Sequence, residues 1–246
     1  MRIYKFLNKR WGLAALSLRR LKISRFFELN DPFEVLPFDL TDLVARLTAQ
    51  LTLIDVHERY GVLCFSKQWS NPVIWSHYAD QHRGLCLGFD VPDDLAMEMD
   101  YLPEKVPFPI DLEDFSDEDA QRATHTLLYS KFDDWKYEDE VRVTARLDPD
   151  TEEDGFFFKN WDGDLRLREV VVGMRSPTCK RQIQRALDGY DDDVAIVQAK
   201  ASDHSFAVVE NLDGVRNHDD ATFYLVRDGV MHPVAFNGEG AARNDS

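Results

Sequence analysis

The chain has 246 residues, of which 44% are hydrophobic and 12% aromatic, so it is long enough to bury a substantial core. Its 29 Lys and Arg residues against 45 Asp and Glu residues give a net charge of −16. This charge argues against a broad binding surface for nucleic acid or for an anionic membrane, although a local basic groove remains an alternative.

The first part of the chain shows two strands around a helix. Residues 2–7 are typical of a short strand, residues 9–20 of a helix and residues 21–27 of a second strand. Asn30-Asp31-Pro32 then predicts a turn, because proline restricts the residue before it and Asn or Asp can bond the backbone through its side chain. Asn30 and Asp31 therefore either close an Asx turn or face a ligand.

The remaining elements follow the same kind of pattern. Residues 41–60 predict a long amphipathic helix capped by Thr41, and residues 117–129 predict another helix. Ser176-Pro177 favours a helix start with Ser as the cap. Further strands are predicted over residues 61–66, 84–89, 169–173, 194–199, 205–210 and 221–226, with the last two forming an antiparallel pair.

These elements predict an α+β fold: a single mixed, mostly antiparallel sheet with helices packed on it. We expect one domain over residues 1–236, with an acidic, proline-rich surface excursion near residues 91–116 and a flexible tail over residues 237–246.

Cysteine usage and hydropathy indicate the compartment. Cys64, Cys86 and Cys179 form no CxxC pair, so neither a disulfide framework nor a zinc knuckle is indicated. The sequence shows no signal-peptide pattern and no apolar run that approaches a membrane span. We therefore expect a cytoplasmic protein that does not contact membranes.

Aromatic and imidazole groups are concentrated between two of the predicted strands. Pro72 suits the first turn of a short helix, on which Trp75 and Tyr78 share a face by their i, i+3 spacing. His77 points elsewhere, and His82 falls in the turn before Gly84. The two aromatic residues are either core or a stacking surface, and the histidines favour a site.

A second dense cluster lies in residues 130–144. If a strand begins at Tyr137, then Glu138, Glu140 and Arg142 project to one face. Such a trio is either a salt-bridged sheet surface or, in a cleft, a group that holds a substrate hydroxyl or stabilises a developing positive charge. Lys131 and Trp135 directly precede it.

The combined pattern resembles a widespread bacterial family of unknown function. The residues that carry this resemblance, over residues 1 to about 200, are Tyr4-Lys5, Leu29-Asn-Asp-Pro-Phe-Glu34, Cys64-Phe-Ser66, Trp75-Ser-His-Tyr-Ala79 with His82 and Gly84, and Trp135 through Glu138, Glu140 and Arg142. More distantly, the order of elements is similar to ADP-ribosyltransferase-like folds.

The second resemblance implies a site. In those enzymes a cationic residue on the first strand, a hydroxyl on a following strand and a late Glu surround a nicotinamide cofactor. It implies Tyr4 and Lys5, Ser24, and Glu138 or Glu140 in these places, with NAD as the substrate and no metal. Lys5 stands where His or Arg is usual, and lysine lacks the planar fork of arginine.

These observations lead to two function hypotheses of different class. The first is a cytoplasmic enzyme acting on a nucleotide or nucleic-acid glycosidic bond, ADP-ribosyltransferase-like or NAD-cleaving, in phage defence or a toxin system. The second is a non-catalytic sensor of a ligand, or a partner-binding protein, of a defence module. A nuclease is a weaker third hypothesis, because the acidic pairs lack a metal-binding spacing, and no Walker loop, GxGxxG, GxSxG or HExxH is present.

The first hypothesis assigns residues to roles. Glu140, Glu138 and His77 are the catalytic candidates, and we expect His77, Glu140 and Arg142 to line one concavity. The candidates for binding the substrate are Tyr4, Lys5, Ser24, Asn30, Asp31, Trp75, Tyr78, His82, Trp135 and Arg142. The expected partners are a nucleotide or other small-molecule ligand and a protein of the same module, with nucleic acid only through a local groove.

Overall fold

The structure is a computed structural model that describes residues 1–109, 116–161, 163–190, 192–212, 223–227 and 230–234. Its helices are α1 (Lys9–Leu18), α2 (Leu43–Arg59), α3 (Pro72–Tyr78), α4 (Asp117–Tyr129) and α5 (Lys180–Ala186). Its strands are β1 (Arg2–Leu7), β2 (Arg20–Arg25), β3 (Phe38–Asp39), β4 (Tyr60–Ser66), β5 (Leu85–Asp90), β6 (Met97–Glu98), β7 (Asp100–Leu102), β8 (Val106–Pro107), β9 (Ser130–Phe132), β10 (Glu140–Arg146), β11 (Phe157–Asn160), β12 (Arg166–Val172), β13 (Ala195–Ala201), β14 (Val208–Glu210), β15 (Phe223–Arg227) and β16 (Val230–Val234).

One large sheet organises the molecule. It runs in the order β11-β2-β4-β1-β5-β12-β13-β14, with β10 attached to β4 and β6 attached to β10. Its described pairs are antiparallel apart from β12 with β13, which is parallel. The structure therefore confirms the predicted α+β fold with a mixed, mostly antiparallel sheet. Among the described helices, none is long and apolar enough to cross a membrane.

The sheet splits along one edge of β4. β10 pairs with the whole length of β4 on one side, from Glu140 opposite Ser66 to Arg146 opposite Tyr60. On the other side, β1 pairs at Ser66, whereas β2 pairs at Val62 and Gly61. β1 and β2 therefore diverge from each other, and a gap opens between them.

Lys5 bridges this gap. Its Nζ donates to the backbone carbonyl oxygen of Cys64 at 2.9 Å, midway along β4. A partly buried carbonyl oxygen without a strand neighbour still needs a donor, and here a side chain supplies it.

α3 begins as predicted but ends in an unusual turn. Asn71 caps the helix by accepting from the Val73 backbone N–H at 2.9 Å, and Pro72 occupies the first turn. After the helix, Asp80, Gln81 and His82 have φ values of 48°, 54° and 69°, which is the left-handed region. The chain then returns at Gly84, whose backbone NH donates to the carbonyl of Ala79 at 2.8 Å.

Several local predictions are wrong for local reasons. The strand expected from Tyr137 is a 3₁₀ helix over Asp133–Glu138, and β10 begins only after Asp139, which is left-handed at φ 46°. Ser176 does not start a helix: its hydroxyl donates to the Thr178 hydroxyl at 3.0 Å and accepts from the Thr178 backbone N–H at 3.3 Å, which forms a local turn, and α5 begins at Lys180.

Two further predictions differ in their partners. Asp42 rather than Thr41 caps α2, by accepting from the Ala45 backbone N–H at 2.9 Å. The two last predicted strands do not pair with each other, since β14 pairs with β13 and β15 pairs with β16.

The predicted excursion is tied to the rest of the fold over its described part. β6 pairs with β10, β7 with β9 and β8 with β3, and Ala96 and Met99 are buried. Residues 110–115 and the predicted tail over residues 237–246 lie outside the described residues.

We expect Gly84→Ala to destabilise the protein strongly. A Cβ at this position would lie 2.0 Å from the backbone oxygen of Leu7, so the end of β1 would have to move. We expect a loss of about 3 kcal/mol or more in the free energy of unfolding, measured by denaturant titration.

Gly155→Ala is the matched control. Gly155 has φ 83° and nothing within 4 Å of its added Cβ, so only the left-handed conformation costs about 1 kcal/mol. Equal losses in the two variants would contradict the close approach at Gly84.

Candidate active site

Strand register aligns a row of polar residues across five strands. Glu140 of β10 lies opposite Ser66 of β4, which lies opposite Tyr4 of β1. Tyr4 in turn lies opposite Gly88 of β5, and Gly88 opposite Glu169 of β12. Directly opposed residues on antiparallel strands share a face of the sheet.

Gly88 makes room within this row. A Cβ there would lie 2.9 Å from Cε1 of Tyr4, so the tyrosine ring passes over the glycine. Burial, followed by the charge of Glu169, raises the pKa of Tyr4 to about 12. The row therefore places Tyr4 between Glu140 at one end and Glu169 at the other.

A buried charge cluster lies at the Glu140 end of the row. Its five members are each at most 6% exposed: Glu34, Lys131, Glu138, Glu140 and Arg142. They come from four elements: a 3₁₀ helix over Pro32–Val35, β9, the 3₁₀ helix over Asp133–Glu138, and β10, which carries both Glu140 and Arg142.

Two cations hold the three carboxylates. Lys131 Nζ lies 2.6 Å from Glu138 Oε2, 3.0 Å from Glu140 Oε2 and 3.3 Å from Glu34 Oε1. Arg142 donates through Nε to Glu140 Oε1 at 2.8 Å and through Nη2 to Glu34. Its Nη1 donates to the Leu128 carbonyl at 2.7 Å. Three carboxylates against two cations give the cluster a formal charge of −1.

The pKa values of the cluster members are shifted in different directions. Burial alone would raise the pKa of Glu140, but Arg142 and then Lys131 hold it at about 2. Burial raises the pKa of Glu34, and the same two cations do not fully offset it. Burial lowers the pKa of Lys131, yet the three carboxylates around it raise that pKa above its usual value. Glu140 is therefore firmly ionised, Lys131 stays charged, and Glu34 is protonated more readily than Glu140 as the pH falls.

The cluster borders an open cleft of about 220 Å³ at the split in the sheet. Its polar lining residues are Tyr4, Lys5, Ser24, Glu28, Asn30, Glu34, Ser66, Tyr78, Lys131, Glu138 and Glu140. All three carboxylates of the cluster thus reach the wall of one cavity.

A hydrogen-bond chain leads from the mouth of the cleft into the cluster. Asn30 Nδ2 donates to the Tyr78 hydroxyl at 3.2 Å, and that hydroxyl donates to Glu138 Oε1 at 2.5 Å. Burial, followed by the charge of Glu138, raises the pKa of Tyr78 above its usual value. The phenol therefore stays protonated and serves as a donor.

Seven of the predicted site residues meet in this cleft: Tyr4, Lys5, Ser24, Asn30, Tyr78, Glu138 and Glu140. Arg142 has no exposed surface and lies behind Glu140. Glu138 is not placed in the cleft by strand alternation, as predicted, because it is the last residue of a 3₁₀ helix.

Trp75, His82 and Asp31 have local structural partners. Trp75 is 0% exposed and donates its Nε1–H to the Trp69 carbonyl at 2.6 Å, so it belongs to the core and cannot stack on a ligand. The His82 ring is stacked 6.1 Å from that of Trp75. Asp31 closes an Asx turn by accepting from the Phe33 backbone N–H at 2.9 Å.

His77 and Trp135 lie outside the lining of this cleft. His77 is exposed and borders a shallow depression together with Asn8 and Asp80. The expectation that His77, Glu140 and Arg142 line one concavity is therefore not met. Trp135 is partly exposed, with Lys131 Nζ 4.9 Å from its ring centroid.

Sequence reasoning missed Glu34, Lys131 and Ser66 as site residues. Glu34 carries a signal that could have found it, because an acidic residue stands between the apolar Phe33 and Val35. Lys131 stands in the same polar segment as its partners Glu138 and Glu140, but the spacing alone does not indicate their contact. Ser66 carries no such signal, because strand register alone places it in the row. Within the described ranges, no group of three or more His, Cys, Asp or Glu side chains is placed to hold a metal ion; a metal-free site stays a prediction.

We expect Glu140→Gln to destabilise the protein far more than Glu34→Gln at pH 7. The amide at position 140 leaves Arg142 and Lys131 without their firmly ionised partner, at a cost of about 3–5 kcal/mol. The pKa of Glu34 is raised, so the fold tolerates the neutral form of this residue better than that of Glu140. Glu34→Gln should therefore lower the free energy of unfolding by less. Chemical denaturation of both variants measures the order, and a larger loss in Glu34→Gln would contradict it.

The contribution of Glu140 to the free energy of unfolding should be lost at low pH. Its pKa is lowered from 4.5 to about 2, so its stabilisation is fully present above pH 4.5 and is lost as the pH falls towards 2. We expect the difference in unfolding free energy between the wild type and Glu140→Gln to narrow over this window. A difference that stays constant from pH 6 to about pH 2 would show that Glu140 does not titrate as its contacts imply.

Comparisons with known proteins support one of the two expected resemblances and not the other. No curated protein and no solved structure matches the chain, so the resemblance to ADP-ribosyltransferase-like folds finds no support there. A family model described as "Protein of unknown function (DUF2971)" matches residues 74–143, which include Tyr78, Lys131, Glu138, Glu140 and Arg142. The resemblance to a family of unknown function is thus confirmed over the segment that supplies most of the buried charge cluster.

Proposed function

We propose that the protein is a cytoplasmic enzyme that cleaves an N-glycosidic bond of a nucleotide, with NAD as the first substrate to test. One observation carries this proposal: three buried carboxylates against two cations border an open cleft. A site with surplus negative charge, shielded from water, stabilises a positive charge that develops beside it.

The proposed reaction places that positive charge on the sugar. The bond between the anomeric carbon and the ring nitrogen breaks, and its electron pair goes to the nitrogen. A water oxygen then bonds the anomeric carbon, and its proton goes to solvent. In NAD the departing ring is already cationic and leaves as neutral nicotinamide, so it needs no proton. The site would not need a general acid, which agrees with Tyr78 and Lys131 acting as fixed donors.

Each side chain then has a role that follows from its contacts. Glu138 and Glu140 stabilise the cationic sugar, and Arg142 is a positioning residue that fixes Glu140. Tyr78 and Asn30 orient Glu138 and reach the mouth of the cleft. Lys5 places a positive charge on the same cleft, which suits a phosphorylated substrate.

A ligand sensor is the second candidate. The observation that favours it is that both oxygens of Glu138 and of Glu140 already have protein donors. A network of this kind can have a purely structural role, in which it fixes the fold around a binding site and takes no part in catalysis. The expected role in phage defence or a toxin system and the expected protein partner stay predictions under either candidate.

We expect the protein to release nicotinamide from NAD, and Glu138→Gln to lower kcat by about 10²–10³ while the protein stays folded. Tyr78→Phe should lower kcat less, because it removes one donor to Glu138 and keeps the charge. Chromatography of free nicotinamide measures the rate, and thermal melting checks the fold. Glu98→Gln is the matched control, because Glu98 pairs with Lys67 on the surface.

The outcomes separate the two candidates. A wild type that releases no nicotinamide but gains about 2.7 kcal/mol of stability at NAD concentrations near 100 Kd is a sensor. Glu138→Gln and Glu140→Gln variants that both keep full activity would exclude the carboxylates from catalysis.

A further inference from the structure

A second cleft continues the first along the split in the sheet. It has a volume of about 440 Å³ and shares Lys5, Phe6 and Ser24 with the first cleft. Its outer walls come from α1, β2 and the segment around β11, through Trp11, Arg20, Lys22, Phe156 and Phe158. A molecule longer than the first cleft would therefore extend into the second.

The outer walls combine exposed rings with cations. Trp11 is 54% exposed and Phe156 is 41% exposed. The Arg20 guanidinium lies 3.9 Å from the ring centroid of Phe158, and Lys22 Nζ lies 4.5 Å from that of Phe156. Exposed aromatic faces stack on nucleobases, and nearby cations bind phosphate oxygens.

The two cations of this cleft differ in how readily they can be recruited. Arg20 forms a bidentate pair with Glu153 at 2.6 and 2.8 Å, whereas Lys22 makes a single contact with Glu28 at 3.0 Å and is the more exposed of the two cations. An exposed single pair of this kind contributes only about 0–1 kcal/mol. A diphosphate can therefore displace Glu28 from Lys22.

We propose that the second cleft binds the second nucleotide unit of a dinucleotide, with its base against Trp11 and the linking diphosphate near Lys5, Arg20 and Lys22. This rests on the proposed function for the nucleotide unit in the first cleft. A net charge of −16 disfavours a polynucleotide, which would need cations along many phosphates, whereas three cations suit one diphosphate.

Calorimetric titration with adenosine diphosphate alone tests the second cleft without any turnover. We expect binding to the wild type, and an affinity lower by about fivefold or more in Trp11→Ala, because stacking is lost. Phe33→Ala is the matched control, since Phe33 is a 62% exposed aromatic residue outside both clefts, and its affinity should equal that of the wild type. Inorganic pyrophosphate is the second probe and should bind more weakly than adenosine diphosphate.

Kinetics then separate this proposal from the proposed function. If the protein cleaves NAD, Trp11→Ala should lower kcat/KM for NAD by about fivefold or more but leave kcat/KM for nicotinamide mononucleotide unchanged. Binding of adenosine diphosphate that depends on Trp11, without NAD cleavage, would support the second cleft and remove the proposed reaction. Equal binding of pyrophosphate and adenosine diphosphate, no binding of either, or no effect of Trp11→Ala would overturn the second cleft whatever the enzyme does.

Discussion

Arg142 has no exposed surface, and its charge is stable there only because Glu140, Glu34 and the Leu128 carbonyl accept its hydrogen bonds. Taking such an ion out of water costs several kcal/mol, and the acceptors around Arg142 offset this cost only when their set is complete. Completeness requires the 3₁₀ helix that carries Glu34 and the strands β9 and β10 to be in place together. The same condition fixes one wall of the cleft, so the stability of the fold and the geometry of the candidate site rest on the same ion pairs.

The elements were largely predictable because their signals are local. Pro72 after Asn71 marks α3, and alternation or apolar runs mark most strands. The site was only partly predictable, because strand register sets it. Tyr4, Ser66 and Glu140 are aligned by pairing between three strands that are distant in sequence. No local sequence pattern specifies the register of that pairing. Glu138 joins them because Asp139 adopts a left-handed conformation, which the expected strand alternation could not foresee.

The aromatic and histidine-rich segment shows a different limit of sequence reasoning. Its density of rings suggested a site, yet Trp75 packs in the core and His82 stacks beside it. Only Tyr78 from this segment both reaches the cleft and bonds a cluster carboxylate. Side-chain type alone does not separate core from site here, because a short helix presents one face to each. The separation depends on which face meets the sheet.

At the gap between β1 and β2, the Cys64 carbonyl has no backbone N–H of a described neighbouring strand to bond. The Lys5 ammonium donates to this carbonyl instead. An ammonium carries three donors, so one can remain on this carbonyl while another meets a phosphate. Rotation about its side-chain torsions lets the ammonium keep the bond to the Cys64 carbonyl while it turns another donor towards a ligand. A rigid, planar guanidinium allows fewer such arrangements, so lysine suits this position better than arginine.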